Sequence, residues 1–242
     1  MRRAPCTTPS LEPILDALEA YYGPQLPHAP TDPYQFLVWW HCGYPPSEAR
    51  CQQGWQTLRH ELGVEPQVLR AARPARLARA LSAGGLIPQL RAERVRAVAT
   101  RVLEDFAGDL AAGLARLPPA QAHAALRKFP GIGPPGADRM LLFAGLAPLA
   151  AVPSSCPYVL PRIVSGRVPP GYRASYAQAQ RAIEAAVPAA SALRQRAYLL
   201  LLRHGRELCR RTHPQCALCP LVRRCRFNQA GERRKTAPRS RR

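Results

Sequence analysis

Lysine is almost missing from this strongly basic chain. Of the 35 basic residues among 242, only Lys128 and Lys235 are lysines, and the others are arginines. Acidic residues are also scarce, at 15, so the formal net charge is +20. A surplus of this size favours a polyanionic partner, with nucleic acid ahead of an anionic membrane surface. Arginine suits such a partner because its planar fork of donors matches phosphate oxygens and guanine edges.

Long apolar runs are missing too. No stretch reaches the roughly 18 residues that a membrane-spanning helix needs, and the N-terminal MRRAPCTTPS lacks the apolar segment of a secretory signal. A hydrophobic content of 47% nevertheless indicates a globular protein. We therefore expect a protein of the reducing cytoplasm, associated with the nucleoid if the cell is bacterial. In that compartment, clustered cysteines more often bind metal than form disulfides.

The alternating pattern of β-strands does not persist anywhere in the sequence, and no internal repeat is present. Helical spacing of apolar residues is found throughout, which predicts an all-α fold. A segment capped by Ser10 and stopped by Gly23 is predicted to open the helical region, and one long helix is predicted from 91 to 110. The basic residues 229–242 are predicted to form a disordered tail.

Four cysteines near the end of the chain share the spacing C-x6-C-x2-C-x5-C; they are Cys209, Cys216, Cys219 and Cys225. Four thiolates within seventeen residues can surround one soft metal centre, either an iron–sulfur cluster or zinc. A structural zinc site usually has two CxxC pairs, and only one is present here. The spacing therefore favours a 4Fe–4S cluster, while zinc and an unliganded or disulfide-bonded group remain alternatives. The other cysteines are scattered and indicate buried small side chains.

A glycine turn between two helical segments at 126–145, LRKFPGIGPPGADRMLLFAG, is the second informative pattern. Its glycines allow close approach of backbone or phosphate, and Ile132 can fill the space between the two helices. The helix that follows begins with prolines, and its N-terminal amides would form an anion site suited to a DNA phosphate. Alternatively, the turn is an ordinary helix connection. The residues expected to contact DNA here are Lys128, Gly131, Ile132, Gly133 and Gly136.

Together, the cysteine spacing and the hairpin resemble the endonuclease III-like branch of the HhH-GPD superfamily of DNA repair glycosylases. The resemblance covers roughly residues 10–228. It implies a two-lobed, all-α monomer that holds damaged double-stranded DNA in a cleft, with a base flipped out of the helix. The implied parts are a six-helix barrel domain at 27–148 with the helix–hairpin–helix at 126–145, an iron–sulfur domain at 1–26 and 149–228, and the basic tail. Arginines of the cluster loop, including Arg223 and Arg224, would meet phosphates.

Both catalytic positions of the resembled family are replaced in this chain. The family's Schiff-base lysine aligns with Pro135, and its carboxylate aligns with Pro153. No Asp or Glu occurs from 139 to 182, so Asp138 is the nearest candidate for a substitute acid. We therefore expect a base-excision-repair protein that acts on or recognises damaged bases without Schiff-base lyase chemistry. The alternatives are a catalytically silent binder of damaged or distorted DNA and an RNA-binding iron–sulfur protein.

Overall fold

The computed structural model describes residues 10–45 and 47–236. These ranges form α-helices joined by short loops, and within them the only β-type pairing is an isolated bridge between Tyr44 and Gly85. The predicted all-α fold is confirmed. The helices are α1 Glu12–Tyr22, α2 Pro33–His41, α3 Glu48–Glu61, α4 Pro66–Ala71, α5 Pro74–Leu81, α6 Pro88–Phe106, α7 Leu110–Ala115, α8 Pro119–Leu126, α9 Pro134–Phe143, α10 Val159–Ser165, α11 Tyr172–Ala186, α12 Ser191–Glu207 and α13 Arg226–Thr236.

Proline marks the start of many of these helices. It occupies one of the first two helical positions in α1, α2, α4, α5, α6, α8 and α9. Proline is tolerated there because the first amides of a helix have no intrahelical acceptor, and its fixed φ already suits the helix. Much of the chain's high proline content therefore sets helix boundaries. None of the helices in the described ranges is long and apolar enough to cross a membrane.

The chain divides into two compact units. One is continuous, from Pro27 to Ala147, and the other combines the chain up to Leu26 with the chain from Pro148 onwards. In the continuous unit, α6 lies at the centre, with α2, α4 and α5 packed against it. Its apolar stripe, which includes Val95, Val98 and Val102, is fully buried. In the discontinuous unit, α1 packs on α12, and α10 contacts α11, α12 and α13.

The long helix predicted from 91 to 110 ends earlier than expected. Helix α6 stops at Phe106 because Ala107 and Gly108 both adopt positive φ, 50° and 87°. Asp109 then caps a new helix, α7, by accepting a hydrogen bond from the amide of Ala112 at 2.9 Å. The GDL sequence is thus a helix boundary: glycine takes the left-handed conformation and aspartate forms the next N-cap.

The prediction of a disordered tail from residue 229 is wrong for residues 229–236, because α13 runs through them to Thr236. No proline occurs between Pro220 and Pro238, so nothing in this stretch removes a helical hydrogen bond. The helix is also anchored at its start, where the amide of Gln229 bonds the carbonyl of Cys225, and it packs on α10. Residues 237–242 lie outside the described part.

Candidate functional site

The predicted hairpin is formed by α8, α9 and the turn at 127–133. Gly131 lies at the tip with φ +68°, a left-handed conformation that favours glycine. Ile132 is buried and its amide donates to the carbonyl of Phe129 at 3.3 Å. Gly131 and Gly133 are exposed on either side of it. The isoleucine therefore holds the turn from inside, while the two glycines present backbone to solvent.

Two amide groups of this turn are available to a ligand. The amides of Gly136 and Ala137 both donate to the carbonyl of Gly133 at 3.1 Å, and Pro134 and Pro135 have no N–H. The N–H groups of Gly131 and Gly133 make no hydrogen bond to any described residue. The anion site expected at the N-terminus of α9 therefore depends on these two glycine amides alone, because prolines remove two of the usual donors.

Gly133 is not required by the fold. Its backbone has φ −95° and ψ −178°, which any residue can adopt. A Cβ atom added there would have only Pro135 Cδ within 4 Å, at 3.8 Å. A Cβ at Gly131 would meet His41 Cε1 at 3.4 Å and would also face an unfavourable φ. Gly131 is thus required by the backbone conformation of the turn, whereas the absence of a side chain at Gly133 leaves space for a ligand.

Asp138, the candidate substitute acid, is bound to another helix of the hairpin. Its Oδ1 lies 3.1 Å from Nε2 of His123 on α8, and the residue is 7% exposed. The pair joins α8 to α9. Sequence reasoning missed this partner, although the two residues lie on the helices that flank the predicted turn, with His123 seven residues before Pro130 and Asp138 seven after Gly131.

Neither motif position offers a reactive group. Pro135 is the second residue of α9 and has no amine. Pro153, in the discontinuous unit, is buried in the loop before α10, and its carbonyl accepts the amide of Cys156 at 3.1 Å. Ser154 and Ser155 beside it are exposed. Lys128, which the sequence offered as a DNA contact, is exposed in the hairpin turn.

Helix α2 supports the hairpin turn from inside. The imidazole Nε2 of His41 lies 3.0 Å from the carbonyl oxygen of Pro130. Burial lowers the pKa of His41 to about 4, and the positive charge of Arg94 adds to this effect, while the bond to Pro130 opposes it. On the same helix and within the same unit, Phe36 lies under the guanidinium of Arg139 from α9, 4.1 Å from its centre. Sequence reasoning gave His41 no role in the turn.

The four cysteines lie together in the discontinuous unit. All four line one small cavity of about 20 Å³, and each is a free thiol. A short 3₁₀ turn at Cys216–Leu218 lies between α12 and α13; Cys216 begins it and Cys219 directly follows it. The linear spacing therefore does converge in space on a single cavity.

Hydrogen-bond donors surround these sulfur atoms. Arg162 on α10 is 8% exposed; its guanidinium donates to Cys209 Sγ at 3.7 Å and to the carbonyls of Arg210 and Arg211 at 2.7 and 2.8 Å. The amide of Leu221 donates to Cys219 Sγ at 3.4 Å. His204 Nε2 lies 3.8 Å from the same sulfur. Cys209 and Cys219 therefore each accept a hydrogen bond, whereas the Cys225 thiol donates to the carbonyl of Arg162 at 3.8 Å.

Burial makes these thiols harder to ionise. Burial raises the pKa of Cys219 to about 11, with a smaller rise from the other cysteines, and burial also raises the pKa of Cys209. Thiolates there need a cation to compensate them. No group of three or more His, Cys, Asp or Glu side chains in the described ranges takes the arrangement of a metal site.

The cluster-loop arginines differ in availability. The side chain of Arg223 is exposed, with no described hydrogen bond, whereas Arg224 donates to the carbonyl of Pro13 on α1 at 2.7 Å. Arg224 therefore uses one of its donors to fix the loop to the N-terminal helix. Both remain predicted phosphate contacts, with Arg223 the freer of the two.

Comparisons with known proteins agree with this geometry. No protein-family model matches the chain, and no curated protein matches its sequence. Solved structures do match. A non-covalent complex of endonuclease III with DNA has TM-score 0.71 and 18% identity over 92% of this chain and 97% of that one. A thermostable thymine-DNA glycosylase has TM-score 0.68 and 16% identity, covering 90% and 96%. The H. pylori 3-methyladenine DNA glycosylase MagIII, bound to 1,N6-ethenoadenine, has TM-score 0.58 and 13% identity, covering 82% and 99%.

These neighbours are all DNA glycosylases of the HhH-GPD superfamily. The chain has the all-α HhH-GPD fold that they share, across nearly its whole length. The fold is similar to that of endonuclease III and to that of the thymine-DNA glycosylase, with TM-scores of 0.71 and 0.68.

Proposed function

We propose that this protein binds double-stranded DNA and recognises damaged bases as a base-excision-repair protein of the endonuclease III type. The observation that carries the proposal is the pair of exposed, unbonded amides at Gly131 and Gly133, at the tip of the hairpin. Amides in this position suit a phosphate oxygen. The endonuclease III structure that shares this fold with TM-score 0.71 is itself a complex with DNA.

Electrostatics support the same partner. The net charge of +20 comes almost entirely from arginine, and a protein that neutralises several phosphates gains affinity through counterion release. This contribution is independent of sequence and falls steeply as salt rises. The hairpin amides add a contact that does not depend on side-chain charge. The two contributions can be separated by measuring affinity over a range of salt concentrations.

Schiff-base cleavage is not part of the proposal. A trapped covalent intermediate is known for endonuclease III, and an intermediate of that kind requires a nucleophile attached to the protein. In this chain the aligned position is Pro135. We infer that any base removal here is monofunctional and leaves an intact abasic site.

A catalytically silent binder is the second candidate, and the pairing of Asp138 favours it. That carboxylate is 7% exposed and bonded to His123, so it serves to join two helices and is poorly placed to act on a sugar. After Asp138, the next carboxylate in the sequence is Glu184. A silent protein of this fold would bind lesions tightly and release no base.

The decisive experiment is a single-turnover assay on duplexes that carry uracil, oxidised pyrimidines, alkylated bases, mismatches or an abasic site. Each reaction is developed with and without alkali, with borohydride trapping in parallel. Alkali-dependent cleavage without trapping identifies a monofunctional glycosylase, and tight binding without product identifies the silent binder. Covalent trapping would contradict the assignment of Pro135. An absence of both product and duplex binding would refute the proposal as a whole.

We further propose that Cys209, Cys216, Cys219 and Cys225 hold a 4Fe–4S cluster, with zinc as the alternative. When bound, such a cluster would cross-link the loop between α12 and α13; the chain's own arginines would then be presented from an ordered surface. Iron, sulfide and zinc analysis of protein purified without oxygen tests this assignment. About four irons and four sulfides per chain support it, and one zinc with no sulfide contradicts it.

A further inference from the structure

The contact between His41 and the hairpin turn lies inside the continuous unit. His41 is the last residue of α2, is 3% exposed, and places Nε2 at 3.0 Å from the carbonyl oxygen of Pro130. The two residues are 89 positions apart in sequence. This bond is the polar contact that the structure shows between α2 and the tip of the turn.

The direction of the bond follows from chemistry. A carbonyl oxygen can only accept, so Nε2 must carry the hydrogen and donate it. Burial keeps the ring neutral near pH 7, since its pKa lies at about 4. The neutral imidazole therefore has its proton on Nε2, and Nδ1 is left as an acceptor.

Fixing this carbonyl also fixes the amide that follows it. The C=O of Pro130 and the N–H of Gly131 belong to one planar peptide group, and in a trans peptide they point in opposite directions. The peptide here is trans, because the only cis bond in the described chain precedes Pro45. With the carbonyl directed inward to His41, the N–H of Gly131 is directed outward, away from α2, on an exposed residue.

The anchor is itself held firmly. Immediately after His41, the carbonyl of Cys42 accepts a hydrogen bond from Arg91 Nη1 at 2.7 Å. Arg91 is 2% exposed and also donates to the carbonyls of Leu86 and Gly85, at 2.9 and 2.8 Å. The end of α2 is therefore fixed by a buried guanidinium, and the imidazole cannot easily move away from the turn.

We propose that His41 is a positioning residue for nucleic-acid binding: its Nε2–H holds the Pro130 carbonyl so that the Gly131 amide points outward, ready for a DNA phosphate. The inference deepens the proposed function and rests on it. His41 touches no DNA itself. It reduces the cost of ordering the turn on binding, because the amide already has the required direction in the free protein.

The test compares three substitutions at His41 with a matched control at an exposed histidine. His41→Leu removes the donor, His41→Gln keeps an N–H near the position of Nε2, and His41→Asn is polar but too short to reach. The control is His60→Leu on α3. Duplex affinity is measured by fluorescence anisotropy over a range of salt, at a temperature where each protein is folded by circular dichroism. Glycine-selective ¹⁵N NMR then follows the Gly131 amide during DNA titration.

We expect His41→Leu to weaken duplex binding about fivefold, the factor that corresponds to one hydrogen bond, with an unchanged salt slope. His41→Gln should restore affinity to within about twofold, and His60→Leu should match wild type. The Gly131 amide should shift with DNA in wild type and much less in His41→Leu. If the leucine variant does not fold, His41→Asn carries the comparison with the same expectation.

A folded His41→Leu or His41→Asn variant with wild-type affinity and a normal Gly131 shift would overturn the positioning role while leaving duplex binding intact. Failure of the wild-type protein to bind any duplex is a separate result. It would refute the proposed function, and the positioning role with it. A fall in melting temperature without any change in affinity would assign His41 to fold stability alone.

Discussion

Adding one methyl group at Gly133 should reduce DNA binding without harming the fold. The site has ordinary backbone angles, and among the described residues the new Cβ would have one atom within 4 Å, Pro135 Cδ at 3.8 Å. Loss of glycine flexibility in the unfolded state offsets the weaker capping by alanine, so we expect the free energy of unfolding to stay within about 1 kcal/mol of wild type. The methyl group would instead obstruct a phosphate that approaches the free amide.

The expected loss in affinity follows from that contact. An amide–phosphate bond is charge-assisted and contributes about 2 kcal/mol, so Gly133→Ala should weaken duplex binding about 30-fold. No charge is altered, so the slope of log affinity against log salt should not change. Anisotropy titrations at several salt concentrations measure both quantities, and urea unfolding measures stability.

Two other glycines of the hairpin serve as matched comparisons. At Gly136 the amide already bonds Gly133, and a Cβ would make ordinary contact with Ile132 at 3.4 Å. Gly136→Ala should thus be stabilising by up to about 1 kcal/mol, with little effect on binding. Gly131→Ala should destabilise by about 1–2 kcal/mol, because φ is +68°. Equal DNA affinity of Gly133→Ala and Gly136→Ala would refute the reasoning.

Three further predictions concern titration, the helix pair and the cysteine loop. Lowering the pH from 7 to 5 should reduce the free energy of unfolding by about 2 kcal/mol through His41. The pKa of His41 is about 4 in the folded protein and about 6.5 in the unfolded chain, so the unfolded chain takes up the proton first. Urea melts at the two pH values measure this loss, and in His41→Gln the His41 contribution should be absent. Asp138→Ala should destabilise by about 1–3 kcal/mol, and removing His123 as well should add little if the two act as a pair, as a double-mutant cycle would show. Arg162→Lys should lower the iron content and speed proteolysis within 209–225, because lysine cannot bridge the carbonyls of Arg210 and Arg211 as the guanidinium does. An unchanged iron content and an unchanged rate of digestion would contradict a role of Arg162 in holding the cysteine loop.

Much of the architecture could be predicted from the sequence because its signals are local. Apolar spacing indicated the helices, and the cysteine spacing indicated a shared site, whose cavity Cys209 and Cys225 line from opposite ends of the loop. Boundaries that depend on single backbone conformations were harder. The left-handed Ala107 ends α6 early, although alanine gives no signal for that conformation.

Contacts between distant segments could not be predicted from the sequence. The bond from His41 joins a side chain to a backbone carbonyl 89 residues away, and carbonyls carry no sequence signature. The role of Gly133 is similar, because a sequence cannot distinguish a glycine required for φ from one that only leaves space. The His123–Asp138 pair was missed as well, although the two residues lie on the helices that flank the predicted turn.

Competition binding tests the central claim most directly. Labelled duplex with an abasic site is bound by wild-type protein and displaced by unlabelled lesion duplex, intact duplex, single-stranded DNA or duplex RNA of equal length, at several salt concentrations. The account predicts that lesion duplex competes best and intact duplex next, and that this order persists as rising salt weakens all binding. Equal competition by every nucleic acid, or preference for RNA, would contradict a protein that recognises damaged DNA.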